Sequence, residues 1–134
     1  MSETICQTTL PNGLRVVTEY VPHVNGVSMA LRVDAGSRDE PERLAGGCHV
    51  LEHMVFKGTT RRSARDIAEE MDAVGGQMDA FTSKEYTGYG ARVLPEHVPV
   101  AMDVLADMLF DSRLAPEDLE LEKSVILEEL KSVE

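Results

Sequence analysis

The chain has 134 residues, 43% apolar, 28% charged and 4% aromatic, with no tryptophan, a globular profile whose core must rest on Leu, Val and Met. Its formal net charge is -11 and its 13 Lys and Arg are scattered, so nucleic acid meets no neutralising stripe and an anionic membrane finds nothing to attract. No run approaches the roughly 20 apolar residues that span a bilayer, and Met1 to Gln7 carry no basic segment followed by an apolar one, so neither an anchor nor a secretory signal is expected.

Residues 5–10 and 14–20 flank Pro11-Asn12-Gly13, a turn signal that predicts a hairpin. In 27–34, Val27, Met29, Leu31 and Val33 alternate with Ser28, Ala30, Arg32 and Asp34, the period of a strand with one face on a core. A polar connection over 35–43 leads to a helix over 44–56, with Lys57-Gly58-Thr59-Thr60 as its exit. Ser63 and Asp66 form a capping arrangement for a helix carrying Ile67, Met71 and Val74, which Gly75-Gly76 stops. No lysine and hydroxyl fingerprint follows those glycines, so they are not a phosphate loop. Strands are expected over 78–82 and 87–93, joined by Ser83-Lys84-Glu85-Tyr86.

A helix over 96–110 with Val100, Val104 and Met108 on one stripe follows, and a last helix opens at Pro116 and runs to the C-terminus. The order of strands, two helices, strands, two helices predicts an α+β sandwich, mostly antiparallel or mixed sheet against helices, in one domain over 1–134. Glu134 carries no stop signal, so that domain is expected to be incomplete. Cys6 and Cys48 form neither a C-x-x-C pair nor a disulfide framework, which favours a reducing compartment and a cytoplasmic location; a bridge between them stays open.

Chemistry concentrates in the first helix. At about 100° per residue, with His49 at zero, His53 lies near 40° and Glu52 near -60°, an arc of roughly 100° that one small object can touch. Leu44, Leu51, Met54 and Val55 occupy the opposite side and are expected to be buried. Imidazoles at i and i+4 converge on a zinc ion, and the glutamate between them is placed to take a proton from water activated there. The order His-x-x-Glu-His is that of the inverzincins. Cys48 points away from this arc and is read as packing, and His23 and His97 stand alone as structural residues.

Two histidines do not complete a catalytic zinc site, which has three protein ligands and an open position. On the last helix, Glu122 and Glu129 fall inside the apolar arc of Leu119, Ile126, Leu130 and Val133, whereas Glu117, Glu120, Glu128 and Glu134 lie outside it. A carboxylate facing a core is costly unless paired or bound to a metal. The wheel leaves Glu122 and Glu129 as candidates, against the alternative of two acids at the edge of a loosely packed helix.

The segments GGCHVLEHMVFKGT at 46–59, GGQMDAFTSKEYTGY at 75–89 and LEKSVILEEL at 121–130 resemble the pitrilysin, insulinase and mitochondrial processing peptidase family of zinc metallopeptidases. The resemblance implies zinc held by His49, His53 and Glu129, Glu52 as general base, and Glu122 as an acid orienting a ligand histidine. It implies that the strand around Ala80 and Phe81 pairs with extended substrate. Asp79 and Cys48 depart from the family's usual Asn and Ala. The implied function is a zinc metalloendopeptidase acting on extended or unfolded polypeptides, with downstream domains or a homologous partner subunit supplying further substrate contacts. The alternatives are a non-catalytic scaffold or processing-complex subunit, a fragment that only binds zinc, and a small metal-binding regulator.

Overall fold

The computed structural model describes residues 4–133. Strands β1 (Ile5–Thr9) and β2 (Arg15–Glu19) pair antiparallel, with Gln7 opposite Val17, around a turn in which Gly13 takes φ 88°. This region of backbone is open to glycine at little cost. The hairpin is a sheet of its own with both faces exposed. The end of the last expected helix, at Glu134, lies outside the described residues.

The second sheet places β5 (Thr87–Val93) between β3 (Val27–Val33) and β4 (Gln77–Thr82), antiparallel throughout. Met29 and Met78 both lie opposite Ala91, so with Tyr89 and Val93 they share the face turned to the helices. On that face Ile67 and Met71 of α2 (Ala64–Ala73) and Ala101, Val104, Leu105 and Met108 of α3 (Val98–Phe110) are buried. Each large side chain fully withdrawn from water there contributes about 1.5 to 3 kcal/mol. On the other face β5 carries Gly88 and Gly90 before Arg92: a Cβ on Gly88 would sit 2.5 Å from the Phe81 ring, and one on Gly90 2.5 Å from Asp79 Oδ1. The arrangement is the expected α+β one, of sheet against helices.

Helix boundaries follow local chemistry. Ser63 caps α2, its hydroxyl accepting from Asp66 N at 3.1 Å while Asp66 accepts from Ser63 N at 2.8 Å, as the spacing predicts. The first helix differs. Residues Glu42–Leu44 close into a separate 3₁₀ turn, Gly46 takes φ 89°, and α1 runs only over Gly47–Met54 before a second 3₁₀ turn at Val55–Lys57. Leu44 therefore leaves the wheel, and it and Leu51 are 56% and 48% exposed, against 2% and 6% for Met54 and Val55. The expected apolar face of this helix is thus confined to its C-terminal end. The last helix, α4 (Pro116–Val133), begins at its proline as expected. Cys6 and Cys48 are free thiols, and no helix among the described residues is long and apolar enough to cross a membrane.

A charge lies at the edge of this core. Asp107 of α3 is 1% exposed and accepts from Thr59 Oγ1 at 2.7 Å, Arg62 Nη1 at 2.8 Å and Arg61 Nε at 3.1 Å. Arg62 reaches on to Glu70 and Asp103, so the loop before α2 is bolted to α3. Burial pushes the Asp107 carboxyl up, but the hydrogen bonds from Thr59, Arg62 and Arg61 outweigh it and hold the group below the usual aspartate range. Asp107→Ala, which leaves the buried Thr59 hydroxyl and two guanidinium groups without the acceptor they share, is expected to cost about 3 kcal/mol in urea unfolding. Because the folded-state value is depressed, Asp107 stabilises above the usual aspartate range, and that contribution disappears as pH falls through the folded value. An acid titration of stability should be flatter in Asp107→Ala than in the wild type across that window.

Candidate metal centre

Three residues of one column face α4: His49, His53 and Lys57 follow one another at intervals of four along α1 and the turn that ends it. Glu122 and Glu129, two turns apart on α4, meet them in reverse order. Glu129 Oε2 lies 3.5 Å from His49 Nε2 and 3.7 Å from His53 Nε2, and Glu122 Oε2 lies 2.9 Å from His53 Nδ1. Lys57 Nζ stands 2.5 Å from Glu122 Oε1. The two segments therefore run antiparallel, zipped by four side chains around the His53 ring.

The two imidazole Nε2 atoms are 3.2 Å apart, which closes a triangle with Glu129 Oε2. Zinc about 2.0 to 2.1 Å from each of three donors at tetrahedral angles sets them about 3.3 Å apart. The observed edges match, and two imidazoles with one carboxylate are a donor set suited to that ion. Among the described residues His49, His53 and Glu129 are the one such group found. His49 and Glu129 are partly open to solvent, which leaves one side of the triangle accessible.

Around the triangle, tautomer and charge are set by neighbours. Glu122 is buried, which raises its carboxyl, but Lys57 and His53 more than offset this and hold it below the usual glutamate range. This ionised acceptor lies 2.9 Å from His53 Nδ1, and a proton on that nitrogen would leave the Nε2 lone pair directed at the triangle. Glu52, the intervening acid, looks the other way along the polar arc, toward β4: Thr82 Oγ1 donates to its Oε2 at 2.6 Å and lies 3.4 Å from the Cys48 carbonyl. Burial and the nearby Glu52 charge both raise the Tyr89 phenol beneath it.

Ala80 and Phe81 lie on β4, one of the two edge strands of its sheet. Ala80 packs against the core, whereas the exposed Phe81 ring covers Gly88 on the opposite face and meets Tyr86 edge-on at 5.5 Å. Asp79 pairs with Arg92 at 3.5 Å on that outer face.

Lys57, Thr82 and Glu40 escape the sequence reading. Lys57 had a signal, the continuation of the i, i+4 column beyond His53; the other two had none, because their partners are distant in the chain. Glu40 accepts from Gly46 N and Cys48 N, each at 2.6 Å, and so caps α1, whose own cap residue is a glycine. The Cys48 and Gly46 amides hold its carboxyl below the usual range against the opposing effect of burial.

The family model described as Insulinase (Peptidase family M16) matches residues 15–134. An uncharacterized zinc protease of Mycobacterium leprae is 51% identical over 94% of this chain and 28% of its own length. One of Bacillus subtilis is 51% identical over 94% of this chain and 31% of its own length. A probable mitochondrial-processing peptidase subunit beta of Arabidopsis thaliana is 46% identical over 95% of this chain and 24% of its own length. The chain thus spans less than a third of the length of these relatives. Glu40→Ala, which leaves the first amides of α1 without their acceptor, should lower stability to urea by about 1 kcal/mol.

Proposed function

Because this chain belongs to the insulinase family of zinc proteases, we propose that it carries the metal-binding and proton-transferring half of a zinc metalloendopeptidase. The observation that carries the reading is the triangle of His49 Nε2, His53 Nε2 and Glu129 Oε2, with edges of 3.2, 3.5 and 3.7 Å. These three residues would hold the zinc. When bound, zinc supplies Lewis acidity, making water a better nucleophile at neutral pH and polarising a peptide carbonyl.

The chain's own residues do the rest. Glu52 accepts the proton as water attacks the carbonyl carbon, and returns a proton to the amine nitrogen as the C–N bond breaks. Thr82 orients that carboxylate from the end of β4. Glu122 keeps the His53 ring turned so that Nε2 faces the metal. The edge strand carrying Ala80 and Phe81 would take an extended polypeptide by backbone pairing. The substrate is then a peptide or unfolded protein, and further contacts come from downstream domains or a homologous partner subunit. We place the chain in a reducing, cytoplasmic setting, the reading of two cysteines spaced neither as a C-x-x-C pair nor as a disulfide framework.

The short span relative to its relatives favours a second reading for these 134 residues taken alone: they bind zinc but turn over peptide poorly. Metal analysis and a peptide-cleavage assay on the intact protein, before and after chelation, test both. About one zinc per chain with cleavage lost on chelation and restored by zinc is expected. Glu52→Gln should keep the zinc and lose activity by about 10²- to 10⁴-fold. Near-normal turnover in Glu52→Gln would refute the assigned base, and a chain that takes up no zinc would refute the metal site.

A further inference from the structure

We propose that Lys57 is a positioning residue for this site: by occupying one oxygen of the Glu122 carboxylate it holds the other on His53 Nδ1 and so fixes the ring tautomer that presents Nε2 to a metal. The proposal rests on the zinc reading of His49, His53 and Glu129 and extends it to a cation outside that donor set.

The Glu122 side chain is only 6% exposed, so both of its oxygens must find partners within the protein. A carboxylate is an acceptor on both oxygens, and a neutral imidazole satisfies one of them without balancing the charge. A buried charge left in that condition is strongly destabilised. Lys57 is the group that balances it, 2.5 Å from Oε1, while Oε2 stays 2.9 Å from Nδ1.

Its position follows from the chain. Lys57 lies four residues after His53, in the last 3₁₀ turn, and Gly58 at φ 124° then turns the backbone away. It is therefore the final residue able to extend the column of His49 and His53. Its half-exposed stem lets the ammonium reach the buried oxygen without full desolvation. Without the ammonium, the carboxylate is free to swing toward solvent. The released imidazole then carries its proton on Nε2 as readily as on Nδ1, and a proton on Nε2 blocks the metal.

The test compares Lys57→Met, Lys57→Gln and Lys57→Arg with the wild type in the intact protein. Nitrogen-15 NMR of the metal-free, histidine-labelled protein reads the His53 tautomer, and competition with a chelator reads zinc affinity. The wild type and Lys57→Arg should hold the Nδ1–H form. Lys57→Met and Lys57→Gln should show mixed tautomers and bind zinc about 10- to 100-fold more weakly, a loss that Lys57→Arg largely rescues. Should Lys57→Met fail to fold, Lys57→Gln carries the same two readouts. A neutral variant that melts at lower temperature but keeps the Nδ1–H form and wild-type zinc affinity would make Lys57 a plain structural tie and overturn the proposal. Absence of zinc binding in the wild type would instead strike the zinc reading, and the tautomer measurement would still decide the role of Lys57.

Discussion

The arrangement of this molecule turns on the His53 ring, which meets a carboxylate at each of its two nitrogens, Glu122 at 2.9 Å and Glu129 at 3.7 Å. Both acids come from one helix, two turns apart, so a rigid aromatic ring sets the distance and angle between α1 and α4. Few apolar contacts could do so in its place. Ile126 and Glu122 are the buried residues described on α4, while Leu121, Leu127 and Leu130 are exposed. The seating of α4 in this structure thus rests on Ile126 together with the bonds of Glu122 to His53 and Lys57. Directional bonds specify geometry more sharply than hydrophobic contact does.

The other side of α1 is held by the sheet. Thr82 ends β4 and donates to Glu52, and along the β4–β5 pair Phe81 and Asp79 lie over the bare backbone of Gly88 and Gly90. A side chain on either glycine would displace the Phe81 ring or the Asp79 carboxylate that lies over it. Polar groups on one short helix are therefore tied to two independent supports, α4 for the histidines and β4 for the glutamate. The same helix begins with the Gly46 and Cys48 amides donating to Glu40, a loop residue six positions before Gly46.

The surplus of acid in the composition reads differently once these partners are known. Glu40, Glu122 and Asp107 each take up specific donors, and the last two are buried with paired cations. Ion pairs such as Arg65 with Glu69, exposed on a helix surface, are of the kind that adds little. Composition alone treats all of these carboxylates as one solvated charge.

The strands, the four helices and the capping box at Ser63 were legible because each depends on neighbours within a few positions: alternation at period two, stripes at intervals of four, and turn residues between them. The sharing of one arc by His49, Glu52 and His53 was legible for the same reason, since helical geometry alone imposes it. Even there, the buried face assigned to α1 failed at Leu44 and Leu51, because Gly46 breaks the wheel and no apolar layer covers that side among the described residues. The wheel narrowed the last helix to Glu122 and Glu129 but could not say which acid faces which ring nitrogen. That was decided by the antiparallel approach of α1 and α4, a relation between segments about 70 residues apart that no local period encodes. Lys57, Thr82 and Glu40 acquired their roles in the same way: a donor or acceptor in sequence is a capacity, and only packing determines which partner meets it.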